Sequence, residues 1–73
     1  MAEHIVEVPA PGKILRVHTE AGKAIAEGDR ICVLEALKME LPIVAPAGGT
    51  VKALHASPGQ TVEAGDLLAV IEG

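Results

Sequence analysis

Short apolar runs separated by turn residues fill the chain, and their spacing predicts strands. Ile5 to Val8 reads as a first strand, ended by Pro9 and Pro11, which cannot donate to a ladder. Gly12 opens a second strand that runs through roughly His18. Within it Ile14 and Val17 are three apart, a spacing that breaks strict alternation and is explained by a bulge or a bend at a sheet corner. Gly22 marks a turn, Ala24 to Ala26 a short strand, and Glu27-Gly28-Asp29 a tight turn. Arg30 to Leu34 follows as a strand that is apolar on both faces, and Leu41-Pro42-Ile43-Val44 is a further apolar stretch. The chain then continues with Gly49 to His55, a turn at Pro58-Gly59, Thr61 to Glu63, a turn at Gly65-Asp66, and Leu67 to Ile71. Helical periodicity of any length is missing, and the five prolines and eight glycines oppose helices.

The pattern occurs twice. At an offset of 37 residues Pro9 falls on Pro46, Ala10 on Ala47, Gly12 on Gly49, His18 on His55 and Gly22 on Gly59. Gly28-Asp29 falls on Gly65-Asp66, Val33 on Val70 and Glu35 on Glu72, without a gap. The apolar positions correspond as well: Ile14 with Val51, Val17 with Leu54, Ile25 with Val62, Ile31 with Leu68, Leu34 with Ile71. Two copies are too few for a solenoid. The expectation is one domain spanning residues 1–73, with half-repeats at about 9–36 and 46–73 related by an approximate two-fold axis and joined by a hairpin at 35–40. Frequent turn signals indicate an all-β sandwich or flattened barrel, in which two small sheets bury a shared aliphatic set. By the same symmetry, the counterpart of the 35–40 hairpin is the gap between the termini, so Lys38 should project from one end of the molecule with both termini at the other.

Composition narrows the function. Phe, Tyr and Trp are all absent, so the core must be built from Val, Ile, Leu and Ala. Without aromatic platforms, and with only six scattered basic residues, nucleic-acid binding is not expected. The net charge of -4 serves solubility. Cys32 is the only cysteine, which excludes an internal disulfide. Its strand context predicts a buried, inert thiol, as in a reducing cytosol, and a cytoplasmic location is expected. No apolar run approaches the roughly 18 residues of a membrane helix, so direct membrane insertion is not expected. The N-terminal stretch lacks a basic region followed by an apolar one, so no signal peptide is expected.

The centre of the chain is Glu35-Ala36-Leu37-Lys38-Met39, between the two apolar runs. A strongly hydrated lysine there stands at the tip of a hairpin. The stretch resembles the attachment site of biotinyl, or biotin carboxyl carrier, domains of the biotin/lipoyl attachment family, whose usual pattern is Glu-Ala-Met-Lys-Met. Four of the five positions match, with Leu37 in place of the methionine. The resemblance covers nearly the whole chain. It implies a flattened barrel-sandwich hybrid of two four-stranded antiparallel sheets with quasi-two-fold symmetry, and biotin joined to Lys38 by an amide. It further implies that Glu35, Ala36, Leu37 and Met39 guide the biotin protein ligase. The implied partners are a biotin carboxylase, which loads the carboxyl group, and a carboxyltransferase or decarboxylase, which takes it on. The domain would carry and not catalyse. Many bacterial acetyl-CoA carboxylase carriers have an insertion before the turn at Gly22 that this chain lacks, which favours a propionyl-CoA, pyruvate, oxaloacetate or stand-alone type of carrier. The Met1 start, with no Pro/Ala-rich leader, suits a free-standing carrier or a trimmed domain.

Two other readings stay open. A lipoyl carrier domain of a 2-oxo acid dehydrogenase-type complex shares the repeat and the Gly-Asp turns, but its lysine usually follows Asp and precedes a small apolar residue, which Leu37 and Met39 fit poorly. An unmodified structural barrel-sandwich module would have no reason to keep Lys38 and Met39 at the tip. No other catalytic or metal site emerges. His4, His18 and His55 lack ligand spacing, and the two repeat-mate histidines read as surface strand ends. Gly22-Lys23 is no phosphate loop, because Ala24 replaces the required Ser or Thr. Ser57 precedes Pro58 in a turn and not in a nucleophile elbow. Glu35 and Glu40 flank Lys38 without a pocket for general acid–base work.

Overall fold

The structure, a computed structural model, describes residues 2–73. The described chain forms strands β1 (Glu3–Glu7), β2 (Gly12–Val17), β3 (Ala24–Ile25), β4 (Arg30–Ala36), β5 (Met39–Val44), β6 (Gly49–Leu54), β7 (Thr61–Val62) and β8 (Leu67–Glu72). They make two four-stranded sheets, ordered β1-β8-β6-β3 and β5-β4-β2-β7, with every pairing antiparallel. Shifting the second order by one half-repeat reproduces the first, so the two-fold seen in the sequence is the symmetry of the fold. Single hydrogen bonds obey it. Ile14 N–H donates to the Gln60 carbonyl at 2.8 Å, and its mate Val51 N–H donates to Lys23 at 2.9 Å. No helix among the described residues is long and apolar enough to cross a membrane.

The odd apolar spacing has the expected cause. Register shifts between Ile14 and Arg16 against β4, and between Val51 and Ala53 against β8, so one residue bulges out at the same place in each half. Three of the matched apolar pairs, Ile14/Val51, Ile31/Leu68 and Leu34/Ile71, are almost completely buried between the sheets. Each such side chain contributes about 1.5–3 kcal/mol of burial. Val33 is buried too, yet alternation turns it away from its inward neighbours Cys32 and Leu34, so β4 is apolar on both faces as expected. Cys32 is fully buried, and burial pushes its thiol up to about 11. It therefore stays a protonated, unreactive thiol.

Strand limits differ from the sequence-based expectation where side chains or turns take over backbone groups. β3 and β7 each stop one residue early, at Ile25 and Val62, because the Ala26 and Glu63 N–H groups donate to the Oδ2 atoms of Asp29 and Asp66 at 3.0 and 2.8 Å. β1 begins at Glu3 and ends at Glu7, because Val8 bonds the Gly65-Asp66 turn. β2 and β6 stop before His18 and His55, which are exposed just beyond the strand ends. β4 extends past Leu34 to Ala36, and β8 past Ile71 to Glu72.

The repeated Gly-Asp turns are scaffolding. Gly28 and Gly65 have φ of +87° and +89°, where a Cβ is strained, and the following Asp ties the turn shut. Asp66→Ala is expected to cost about 1 kcal/mol, read as a lower midpoint in a urea melt, with biotinylation of the folded protein unchanged. An unchanged midpoint with impaired biotinylation would instead make Asp66 a functional residue.

Candidate functional site

The β4–β5 hairpin is closed as tightly as a hairpin can be. Register runs Glu35 to Glu40 and Ala36 to Met39, leaving Leu37-Lys38 as a two-residue loop. Both loop residues have positive φ, +54° and +62°, and they are the only described non-glycine residues that do. Positive φ at both positions is the signature of a type I′ turn, whose twist suits the flanking strands and which normally recruits Asn-Gly. Leucine and lysine there each cost roughly 1–2 kcal/mol relative to an ordinary conformation. The surrounding hairpin holds both residues in a conformation that costs local stability.

The side chains separate into a base and a crown. Ala36 is 4% exposed and packs in the core beside Leu34. Ala36, which the resemblance places among the residues that guide the ligase, faces inward, because β4 runs on to the hairpin and alternation puts Ala36 on the same face as Leu34. Leu37 is 91% exposed and Met39 62%, so neither folds back onto the sheet. Lys38 and Glu35 are exposed as well. Glu35 stands between Lys13 on β2 and Glu40 on β5. Glu40 is tied down by Arg16, whose Nη2 lies 2.8 Å from its Oε1. The other ion pairs use Lys23 with Glu20, and Lys52 with Glu3 and Glu72, so among the described residues no carboxylate engages Lys38. The result is a primary amine on a flexible stem, held by a rigid base, with no partner competing for it.

That arrangement suits covalent loading from outside. A shallow cleft of about 320 Å³ lies at the β2–β3 loop, lined by His18, Lys23, Asp29 and Arg30 among others, and includes none of residues 35–40. The two-fold exchanges the hairpin with the termini: the Ala36–Met39 pair has its counterpart in Ala2 and Gly73, which exchange N–H···O=C bonds of 2.9 and 3.0 Å.

A family model described as "Biotin-requiring enzyme" matches residues 4–71. The chain belongs to this family. Among its relatives, the methylmalonyl-CoA decarboxylase subunit gamma of Veillonella parvula is 48% identical over 40 residues, covering 55% of this chain and 31% of that protein. The biotin/lipoyl attachment protein of Bacillus subtilis is 42% identical over 40 residues, 55% of each chain. Among solved structures, the urea carboxylase of Kluyveromyces lactis superposes with a TM-score of 0.88 at 29% identity, over 99% of this chain and 6% of that one. A single-chain, multi-domain long-chain acyl-CoA carboxylase gives 0.83 at 32% identity, over 93% of this chain and 7% of that one. The chain thus spans about half the length of these relatives or much less. Its place in the family is that of the biotin carrier domain, biotin is its cofactor, and the lipoyl alternative is not favoured. The hairpin fits that group: an exposed primary amine with clear space around it can be acylated without moving the fold.

Proposed function

We propose that Lys38 carries biotin as an amide on its Nζ, and that the domain ferries a carboxyl group between a biotin carboxylase and a carboxyltransferase or decarboxylase partner. The observation that carries this reading is the strained Leu37-Lys38 loop, which holds an exposed lysine at the hairpin tip with no ion pair among the described residues. When bound, biotin supplies a ring nitrogen that takes up and gives back CO2. The chain supplies position. The buried Ala36 and Leu34 anchor the base, while the lysine stem and the biotin acid chain together set a reach of roughly 12 Å from the Cα. That suffices to enter one neighbouring active site and not to cross between two distant ones, so the whole domain swings. Amide formation removes the Lys38 charge and takes the net charge from -4 to -5.

Glu35, Leu37 and Met39 form the surface that a biotin protein ligase reads, and Ala36 contributes from beneath by seating the turn. The relative named methylmalonyl-CoA decarboxylase subunit gamma and the solved long-chain acyl-CoA carboxylase support an acyl-CoA as the molecule at the far end of the transfer. Co-expression with a biotin ligase tests the assignment. Intact mass should rise by one biotin acyl group, mapped to the peptide that holds Lys38. No gain, or a gain at Lys13, Lys23 or Lys52, would overturn it.

The turn makes a second, opposed pair of effects measurable. Leu37→Asn places a residue that tolerates positive φ where leucine is strained, and should stabilise the domain by about 0.5–1 kcal/mol, or a few degrees in Tm. The same change removes an exposed apolar contact and should slow ligase-catalysed loading. A higher Tm with unchanged loading would deny Leu37 its recognition role.

A further inference from the structure

The two halves differ sharply at one pair of edge strands. β5 and β1 are two-fold mates, each the outer strand beside β4 or β8. The bonding parity of β1 is fixed at both ends: Ala2 exchanges bonds with Gly73, while Val8 donates to Asp66 and accepts from Gly65. Inward and outward bonding alternate along an antiparallel edge. Ala2, His4, Val6 and Val8 therefore bond inward, and the N–H and C=O groups of Glu3, Ile5 and Glu7 face away from the sheet. In β5 the same parity turns Glu40, Pro42 and Val44 outward. Pro42 has no N–H to offer, and such prolines blunt an edge against pairing. Glu40 is further engaged by Arg16. At the place of Pro42, β1 carries Ile5, 54% exposed and with its N–H outward.

Charge decides what that edge can receive. A second copy pairing Ile5 on Ile5 would set Glu3 opposite Glu7 at both ends, and like charges directly opposite are destabilising. Each copy also carries a net charge of -4. Lys52 lies against Glu3 and Glu72, whereas Glu7 has no ion-pair partner among the described residues. We propose that the outer edge of β1 accepts an extended segment of a partner protein, in which an apolar residue is flanked two positions away on each side by Lys or Arg. Main-chain groups of the segment bond to Glu3, Ile5 and Glu7, its apolar side chain lies on Ile5, and one basic residue meets the unpaired Glu7 while the other lies beside Glu3, which it shares with Lys52. The site is separate from the Lys38 hairpin and does not rest on the attachment of biotin.

The test uses the 15N-labelled chain and three capped heptapeptides, Thr-Lys-Thr-Val-Thr-Lys-Thr, the same sequence with Glu for both Lys, and the same sequence with Pro for Val. The Lys peptide should give saturable amide shifts centred on residues 3–7, with slowed hydrogen exchange at Glu3, Ile5 and Glu7. The Glu and Pro peptides should not saturate. Ile5→Pro, which copies what β5 already carries, should abolish binding. Glu7→Lys, an exposed change that keeps the fold, should weaken the Lys peptide about threefold and give the Glu peptide measurable affinity. Shifts centred on β5 or on residues 35–40, equal binding of Lys and Glu peptides, absence of saturation by the Lys peptide, or a concentration-dependent dimer through β1 would each overturn the proposal.

Discussion

Lys38→Arg is expected to abolish biotinylation while leaving the melting curve within a few degrees of wild type. The guanidinium keeps the positive charge and most of the stem, but it stays protonated and cannot serve as the attacking amine. The fold has no stake in the exchange. Lys38 is exposed and makes no ion pair among the described residues, and arginine inherits the same positive φ that lysine already tolerates. An exposed substitution of this kind usually moves stability by less than about 0.5 kcal/mol. The measurements are intact mass and streptavidin binding of the purified variant after co-expression with the ligase, beside a thermal melt. Residual streptavidin binding would place the biotin elsewhere. A large fall in Tm would mean that the lysine stem supports the hairpin.

Much of this architecture was readable because it is written twice. The offset that carries Gly12 onto Gly49 also carries one bulge onto the other, so an irregular spacing that would have been ambiguous once became evidence when repeated. The tip is legible as a lysine between apolar runs, at one pole of the repeat and in a stretch that resembles Glu-Ala-Met-Lys-Met, and not from turn composition. A type I′ turn ordinarily announces itself as Asn-Gly, and Leu37-Lys38 carries no such signal. Strand ends escaped for a local reason: Asp29 and Asp66 capture the N–H groups of Ala26 and Glu63, which apolar periodicity cannot foresee. The inward placement of Ala36 depends on how far β4 runs before it turns, and that limit is set by the hairpin itself. The 37-residue offset already sets Ile5 against Pro42, but only the strand order shows that both lie on outer strands, one in each sheet.

The strongest test of the fold is Gly12→Ala. Gly12 lies in β2, between β4 on one side and β7 on the other, where it pairs with Val62. Its backbone is unremarkable, so conformational freedom does not explain the glycine. Close approach does. A Cβ at this position would run into the carbonyl oxygen of Glu35 and lie 3.1 Å from Cδ1 of Leu34. The first of these is backbone in the neighbouring strand and cannot rotate away. The two-fold mate Gly49 faces the carbonyl of Glu72 in the same manner, so the same close approach of adjacent strands recurs within each half. Overpacking typically costs 1–3 kcal/mol, and a collision with backbone belongs at the upper end, about 3 kcal/mol. For a domain of this size that corresponds to a fall in Tm of roughly 15 °C. Gly22→Ala is the control. Gly22 has φ of +92° but open space where its Cβ would sit, so only conformational strain of roughly 1–2 kcal/mol is expected. Thermal melts of both variants separate the two causes. A Gly12→Ala melt no lower than that of Gly22→Ala would mean that β2 and β4 do not approach as closely as the structure holds them. A clearly lower one would tie β4, the strand that leads into the Lys38 turn, to β2 through a contact that only glycine permits.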